Sequence, residues 1–353
     1  MNIKIPVCSI ALGVLLFSAG THADHAVVGI QGGHSGPITT TSATPLPLGQ
    51  HHFSLDFQFL DFDPVSDDIL AEASENDEDV HSTDSLSRTA INYAFGFSKK
   101  LTVGFSLPHV QRNGLKEAAH GEEHHEEEEG GEEHDDEGGD HHEVGGVDFL
   151  GDAGGLGDLQ VFGVYGLGEE STARRSALIF GFKAPTGKTK ARSNDGELLE
   201  VELQPGSGSW DVFFGLAHSR QLGKASFDTN VLYTVANKGA RATNLGDIFN
   251  YNLSLAYPLK GGKNHNPTGN GQARADYNFS LVFEVNGEWR ERVEIESESQ
   301  FNTGGNTVFF SPGIKLTAGK WVLSGAVGIA YVNLNGIQSE ADTRFLVNIG
   351  RSL

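Results

Sequence analysis

Asp276-Tyr277-Asn278-Phe279-Ser280-Leu281-Val282-Phe283-Glu284-Val285-Asn286-Gly287-Glu288-Trp289 carries Tyr, Phe, Leu, Phe, Val and Trp on its odd positions and mostly Asp, Asn, Ser and Glu on its even ones. Successive side chains of a strand point to opposite sides, so this stretch reads as a strand with one apolar and one polar face. The alternation recurs along the chain. Turn-rich breaks delimit twelve such strands, near 50–62, 87–98, 101–111, 157–167, 174–185, 208–220, 224–236, 247–259, 274–289, 305–318, 320–333 and 342–353. The expected fold is all-β, a single antiparallel transmembrane β-barrel of about twelve strands, apolar toward lipid and polar toward a lumen.

Strand length separates this reading from a soluble β-sandwich. Soluble strands average about five or six residues, whereas tilted membrane strands need about nine to eleven. Parity assigns Phe53, Leu55, Phe57 and Phe59 outward in the first strand, Ile91, Tyr93, Phe95 and Phe97 in the second, and Phe249, Tyr251, Leu253, Leu255 and Tyr257 in the eighth. It places Asp56, Asn92, Asp158, Asp211, Asp228, Glu284, Lys315 and Arg344 inside, with carboxylates outnumbering bases, a pattern that predicts a narrow pore favouring cations unless opposed charges cancel. Hydrophobic residues make up 38% and mean hydropathy is −0.28, too polar for helical spans but compatible with strands apolar on alternate residues.

The connections alternate as barrel loops do, with long extracellular ones at 63–86, 112–156, 186–207, 237–246, 290–304 and 334–341, and mostly short ones at the other end. The segment 260–273 is long for an inner turn. Upstream, Met1-Asn2-Ile3-Lys4, the apolar run Ile5–Phe17 and Ser18-Ala19-Gly20-Thr21-His22-Ala23 form a secretory signal, expected to be cleaved after Ala23. Cys8 lies within it, so disulfides and cysteine nucleophiles are not expected in the mature chain. The organisation read from sequence is therefore 1–23 signal peptide, 24–48 periplasmic segment and 49–353 outer-membrane barrel.

Between Gly154 and Gly187 the chain reads Gly154-Gly155-Leu156-Gly157-Asp158-Leu159-Gln160, then a strand, then Gly181-Phe182-Lys183-Ala184-Pro185-Thr186-Gly187. This pairing, with Gly208 to Asp211 and Asn230-Val231-Leu232-Tyr233 further on, resembles the outer-membrane barrel family named for the meta pathway of phenol degradation. The resemblance spans residues from about 45 to the end. It implies a monomeric or loosely associated transporter barrel admitting small aromatic or other hydrophobic compounds, without catalytic residues. The chain departs from that pattern in its His/Glu tract and in ending Arg351-Ser352-Leu353 where an aromatic is usual.

The tract within loop 112–156 holds His120, His124, His125, His134, His141 and His142 among thirteen acidic residues between 120 and 143, including Glu122, Glu123, Glu126, Asp135, Asp136 and Glu143, with no Lys or Arg. Imidazoles bind borderline divalent ions, and carboxylates add charge and oxygen ligands. Two readings stand. One is a solvated acidic loop, since like charges repel and bury nothing; the other is loose binding of a divalent ion (Zn, Ni, Co or Cu), because solubility alone does not call for six histidines. His25, His34, His51 and His52 read as scattered turn and strand-end histidines more readily than as a second ligand set.

No cofactor is required by any motif. Gly181 to Thr189 imitates a phosphate-binding loop but has five residues between its glycines where four are needed, and no nucleophile-elbow sequence occurs, so an enzyme is not expected. The formal charge of −22 argues against nucleic acid. The expected partners are outer-membrane lipids, the barrel assembly machinery, and metal ions or small hydrophobic solutes.

Overall fold

The computed structural model describes residues 36–119, 146–168, 173–261, 277–334 and 336–353. Its elements in chain order are β1 (His51–Asp63), α1 (Asp67–Glu75), β2 (His81–Ser82), β3 (Ser85–Gly96), β4 (Leu101–Ala118), β5 (Val147–Leu156), β6 (Leu159–Leu167), β7 (Arg174–Ala184), β8 (Asp211–Leu222) and β9 (Ala225–Val235). There follow β10 (Ile248–Gly261), β11 (Tyr277–Arg290), β12 (Glu294–Ile295), β13 (Glu298–Ser299), β14 (Gly305–Ala318), β15 (Trp321–Asn333) and β16 (Glu340–Ser352).

Each long strand pairs antiparallel with its sequence neighbour, and two further pairings close the ring. β1 lies against β16, with Phe57 opposite Val347, and β4 lies against β6, with Phe105 opposite Val161. With β2 and the β5 extension set aside, twelve strands form a closed barrel, which leaves no unpaired edge in the membrane. Among the described residues no helix is long and apolar enough to cross a membrane. The strands do so.

Parity runs as the sequence predicts. Phe53, Leu55, Phe57, Ile91, Leu253, Leu255 and Tyr257 are exposed on the outside, while Asp56, Asn92, Asn252, Ser254, Glu284 and Asn286 are buried inside. This is the inversion of a soluble protein: exposed large apolar side chains encircle a polar interior, as lipid demands. Arg351 keeps to the end of that face, its guanidinium 5.1 Å from the Trp321 ring centre, where a cation can reach the membrane interface. Pro312 lacks an N–H to donate and sits where the β14–β15 pairing lapses between Phe310 and Gly313.

The structure departs from the sequence reading beyond the outer rim. Loop 112–156 is not all loop: β4 continues to Ala118 and β5 pairs back against it through Val147–Leu156, with bulges that bend the extension. Loop 63–86 contains α1, whose two turns bury only Leu70 and Ala73, too few apolar positions to show a helical period in sequence. These parts pack on one another through Leu70, Val80, Ala118 and Val147, while Leu115, Leu150, Leu199 and Leu203 tie residues 185–210 to the β4–β5 extension. The tract 120–143, the leader 1–23 and residues 262–276 lie outside the described residues.

Candidate functional site

The segment ahead of β1 runs inside the barrel. At the inner rim Gly96 leaves room for the Pro47 carbonyl, which a Cβ there would meet at 1.9 Å. Further in, Leu46 N donates to Thr102 Oγ1 at 2.7 Å, Ala43 N to Ser219 Oγ at 2.8 Å and Thr41 N to Asn230 Oδ1 at 2.9 Å. The segment then reaches Glu284, which is fully buried at mid-strand of β11. Its carboxylate accepts from Ile38 N at 3.0 Å, Thr39 N at 2.9 Å and Thr40 N at 3.1 Å, and from Thr39 Oγ1, while Lys315 Nζ donates to Gly36 O. A buried carboxylate requires such donors, and three consecutive amides form a small anion-binding nest. The 24–48 segment, read from sequence as periplasmic, thus has its residues 36–46 within the lumen.

The lumen has two unlike walls. Across β6 to β9 the inward side chains Phe162, Val164, Ala177, Ile179, Phe213, Ala217 and Leu232 are buried and form one cluster with Ala43 and Leu46 of the inner segment. Glycines make this wall thick enough to fill space: the Phe162 and Phe213 rings lie over Gly104 and Gly181, where an added Cβ would come within 2.6 and 2.4 Å of them. Opposite, β11 to β16 and β1 present mainly polar groups, with a smaller apolar patch of Val282, Ala326 and Leu346 against Ile38. Arg344 donates to Asn286 Oδ1 at 2.7 Å and Ser311 Oγ at 3.2 Å and stacks 4.1 Å from the Phe309 ring centre. Asp56 accepts from Asn92 at 2.6 Å and from Asn348.

Toward the outer end a cavity of about 120 Å³ opens between the walls, bordered by Phe213 and Leu232 on one side and by Arg88, Asp158, Lys183 and Arg290 on others. Lys183 bridges Asp211 at 2.6 Å and Asp158 at 3.5 Å, and Asp158 also accepts from Gly187 N at 2.8 Å and Ser207 N at 2.9 Å, anchoring the 185–210 loop over the mouth.

The predicted excess of interior carboxylates is corrected by the structure. Among the described residues Asp56, Asp158, Asp211, Asp228, Glu284 and Glu288 face Arg88, Arg112, Lys183, Arg290, Lys315 and Arg344 in the lumen and its mouth. Arg88, Arg112 and Arg290 were not among the inward residues read from parity, because two stand close to strand ends and Arg112 lies past the expected end of its strand. These twelve charges balance, whereas the carboxylates around His81 keep the outer mouth acidic, so the lumen below that mouth is not a simple cation funnel.

All of the loop ligands read from sequence, His120, His124, His125, His134, His141 and His142 with Glu122, Glu123, Glu126, Asp135, Asp136 and Glu143, lie outside the described residues, as do His25 and His34. His51 and His52 point to opposite faces of β1, toward Tyr93 and Ser352 respectively, and do not form one site. The sequence reading missed a group at the outer mouth, where His81 meets Asp79, Glu117, Glu200 and Glu202. Burial disfavours the charged form of His81, but Glu117, Glu202 and Asp79 outweigh it and raise its pKa well above the usual value. Burial pushes the Glu200 carboxyl up to about 7, with His81 pulling down and the neighbouring carboxylates pushing up.

No protein-family model matches the chain, and no curated protein does. Among solved structures it is similar to an outer membrane channel from Pseudomonas putida F1, at TM-score 0.54 and 14% identity, over 88% of this chain and 98% of that one. Weaker likenesses are the beta domain of the Bordetella autotransporter BrkA (TM-score 0.41, 9% identity, 86% and 99% covered) and the TodX monoaromatic hydrocarbon channel (TM-score 0.40, 9% identity, 87% and 91% covered). At such identity the first likeness bears on the fold alone: a closed twelve-stranded barrel of the outer-membrane kind.

Proposed function

We propose that the chain is an outer-membrane channel for small, largely apolar solutes, with residues 36–46 narrowing the inner half of the lumen. The observation that carries this is the large apolar wall of Phe162, Val164, Ile179, Phe213 and Leu232 inside the barrel, with Phe213 and Leu232 bordering the outer cavity. A polar solute gains nothing from such a wall, whereas an apolar body loses water-exposed surface along it at about 25 cal/mol per Å². The polar groups that share the outer cavity orient a solute bearing a hydroxyl or carbonyl. The resemblance to the phenol-degradation barrels and the likeness to a solved outer membrane channel agree with this reading.

Purified full-length protein in liposomes tests it. A small aromatic solute should enter faster than a sugar of equal size; equal rates, or a preference for the sugar, would remove the reading. For the 120–143 tract we keep the proposal that it binds Zn, Ni, Co or Cu loosely, on the composition argument alone. Calorimetric titration of the protein with and without residues 120–143 decides that point.

A further inference from the structure

Asp79, His81, Glu117, Glu200 and Glu202 come from three separate outer segments. His81 pairs directly across from Glu117 in the short β2–β4 ladder, so backbone hydrogen bonding sets those two side by side. Asp79 is two residues before His81, on the same side, while Val80 between them is buried on the other. Glu200 and Glu202 repeat the arrangement, since Leu199, Val201 and Leu203 all turn into the protein. Apolar packing beneath both segments therefore holds the five polar side chains against one another.

Around His81 Nε2 stand Glu117 Oε2 at 3.3 Å, Asp79 Oδ1 at 3.5 Å and Glu200 Oε2 at 3.5 Å. Nε2 is shut off from solvent, on an imidazole only 11% exposed, and has no hydrogen-bond partner despite these neighbours. The Oε2 atoms of Glu200 and Glu202 are likewise buried without one. His81 is the only base with which Glu117, Glu200 and Glu202 form ion pairs among the described residues. Even a charged imidazole leaves the group strongly negative.

The spacing has a simple reading. Four ligands about 2.1 Å from a tetrahedral ion stand roughly 3.4 Å apart, which is the separation of Nε2 from its three carboxylate neighbours. Ligand atoms of Asp79, His81 and Glu200 all lie within 4.8 Å of one another. On the far side of the ring Nδ1 is 3.0 Å from Glu202 Oε1, the carboxylate contact that orients a metal-bound histidine and fixes its tautomer. The geometry points to a divalent transition-metal site of one imidazole and three carboxylates: His81, Asp79 and Glu200 as ligands, Glu117 closing the set and Glu202 holding the ring. One nitrogen and few oxygens suit Zn²⁺ better than Ca²⁺, which takes six to eight oxygens at longer distances.

This site is distinct from the 120–143 tract and can be separated from it. Ala119 N already bonds Gly146 O at 2.9 Å, so removing 120–143 leaves a short connection across a gap the backbone has closed. Detergent-folded protein lacking 120–143 is titrated with Zn²⁺ by calorimetry, beside H81A and E200Q in the same background, with heat-modifiable migration reporting the barrel. One zinc equivalent should remain after the deletion, and each substitution should weaken it at least about tenfold, as loss of a ligand does. Co²⁺ in place of Zn²⁺ should give visible absorption of a tetrahedral ion, lost in H81A, whereas Ca²⁺ should not compete. No zinc heat in the deleted protein, or unchanged affinity in folded E200Q, would overturn the site.

Discussion

The two inner walls of this barrel look alike from outside and differ in their main lining within. β6 to β9 and β11 to β16 carry the same outward Phe, Leu, Val and Tyr, yet the first group turns Phe162, Ile179, Phe213 and Leu232 into the lumen and the second turns Glu284, Asn286, Ser311 and Arg344. Lipid sets the outer face of every strand equally. The inner face answers to what the lumen holds, here a segment of the same chain that packs Ala43 and Leu46 on the apolar wall and gives the amides of Ile38, Thr39 and Thr40 to Glu284 on the other. The comparison teaches that inward apolar residues in a membrane barrel mark a surface with something to cover or carry.

The polar wall is where that arrangement breaks most readily. Replacing Glu284→Ala removes the acceptor of three amides; each hydrogen bond to a charged group is worth about 1.5–3 kcal/mol, so the inner segment should detach. Planar-bilayer recordings should then show conductance raised by about tenfold, since unplugging restores the full bore of the barrel. Unchanged conductance would mean that residues 36–46 do not limit flow.

The apolar wall gives the next effect. Phe213→Asp places a charge among Ala43, Ile179 and Leu232, and aromatic flux into liposomes should fall about fivefold, a loss near 1 kcal/mol of solute contact. Sugar flux should hold or rise. Smaller still, Lys183→Met leaves Asp158 and Asp211 uncompensated at the mouth, and reversal potentials should show cation preference rising by about threefold. Arg351→Ala tests the outer face, which both walls share: losing its stacking on Trp321 should cost about 0.5–1 kcal/mol in urea unfolding and leave conductance unaltered.

Much of the barrel was legible because a strand's two-residue period makes each side chain's facing a matter of counting. Ile91, Leu253 and Tyr257 lie where parity put them, as do Asp56, Asn92 and Glu284. Legibility ended where the period ends. Arg112 and the β4–β5 extension stand beyond the membrane, where no lipid face enforces alternation, and α1 is too short to register a helical period. The His81 group was invisible for a further reason: Asp79, Glu117 and Glu200 are far apart in the chain and bear no fixed spacing. The eye goes instead to 120–143, where histidines are dense.

Sequence alone determined the strand count, the facing of side chains and the order of long and short connections, because these follow from local alternation and from a lipid solvent that penalises every unpaired or misplaced polar group. Only the tertiary structure decided that residues 36–46 lie within the lumen, that interior charges balance, and which carboxylates gather around His81. Those outcomes depend on which strands meet across a closed ring, and closure brings together residues such as Thr39 and Glu284 that no local pattern relates.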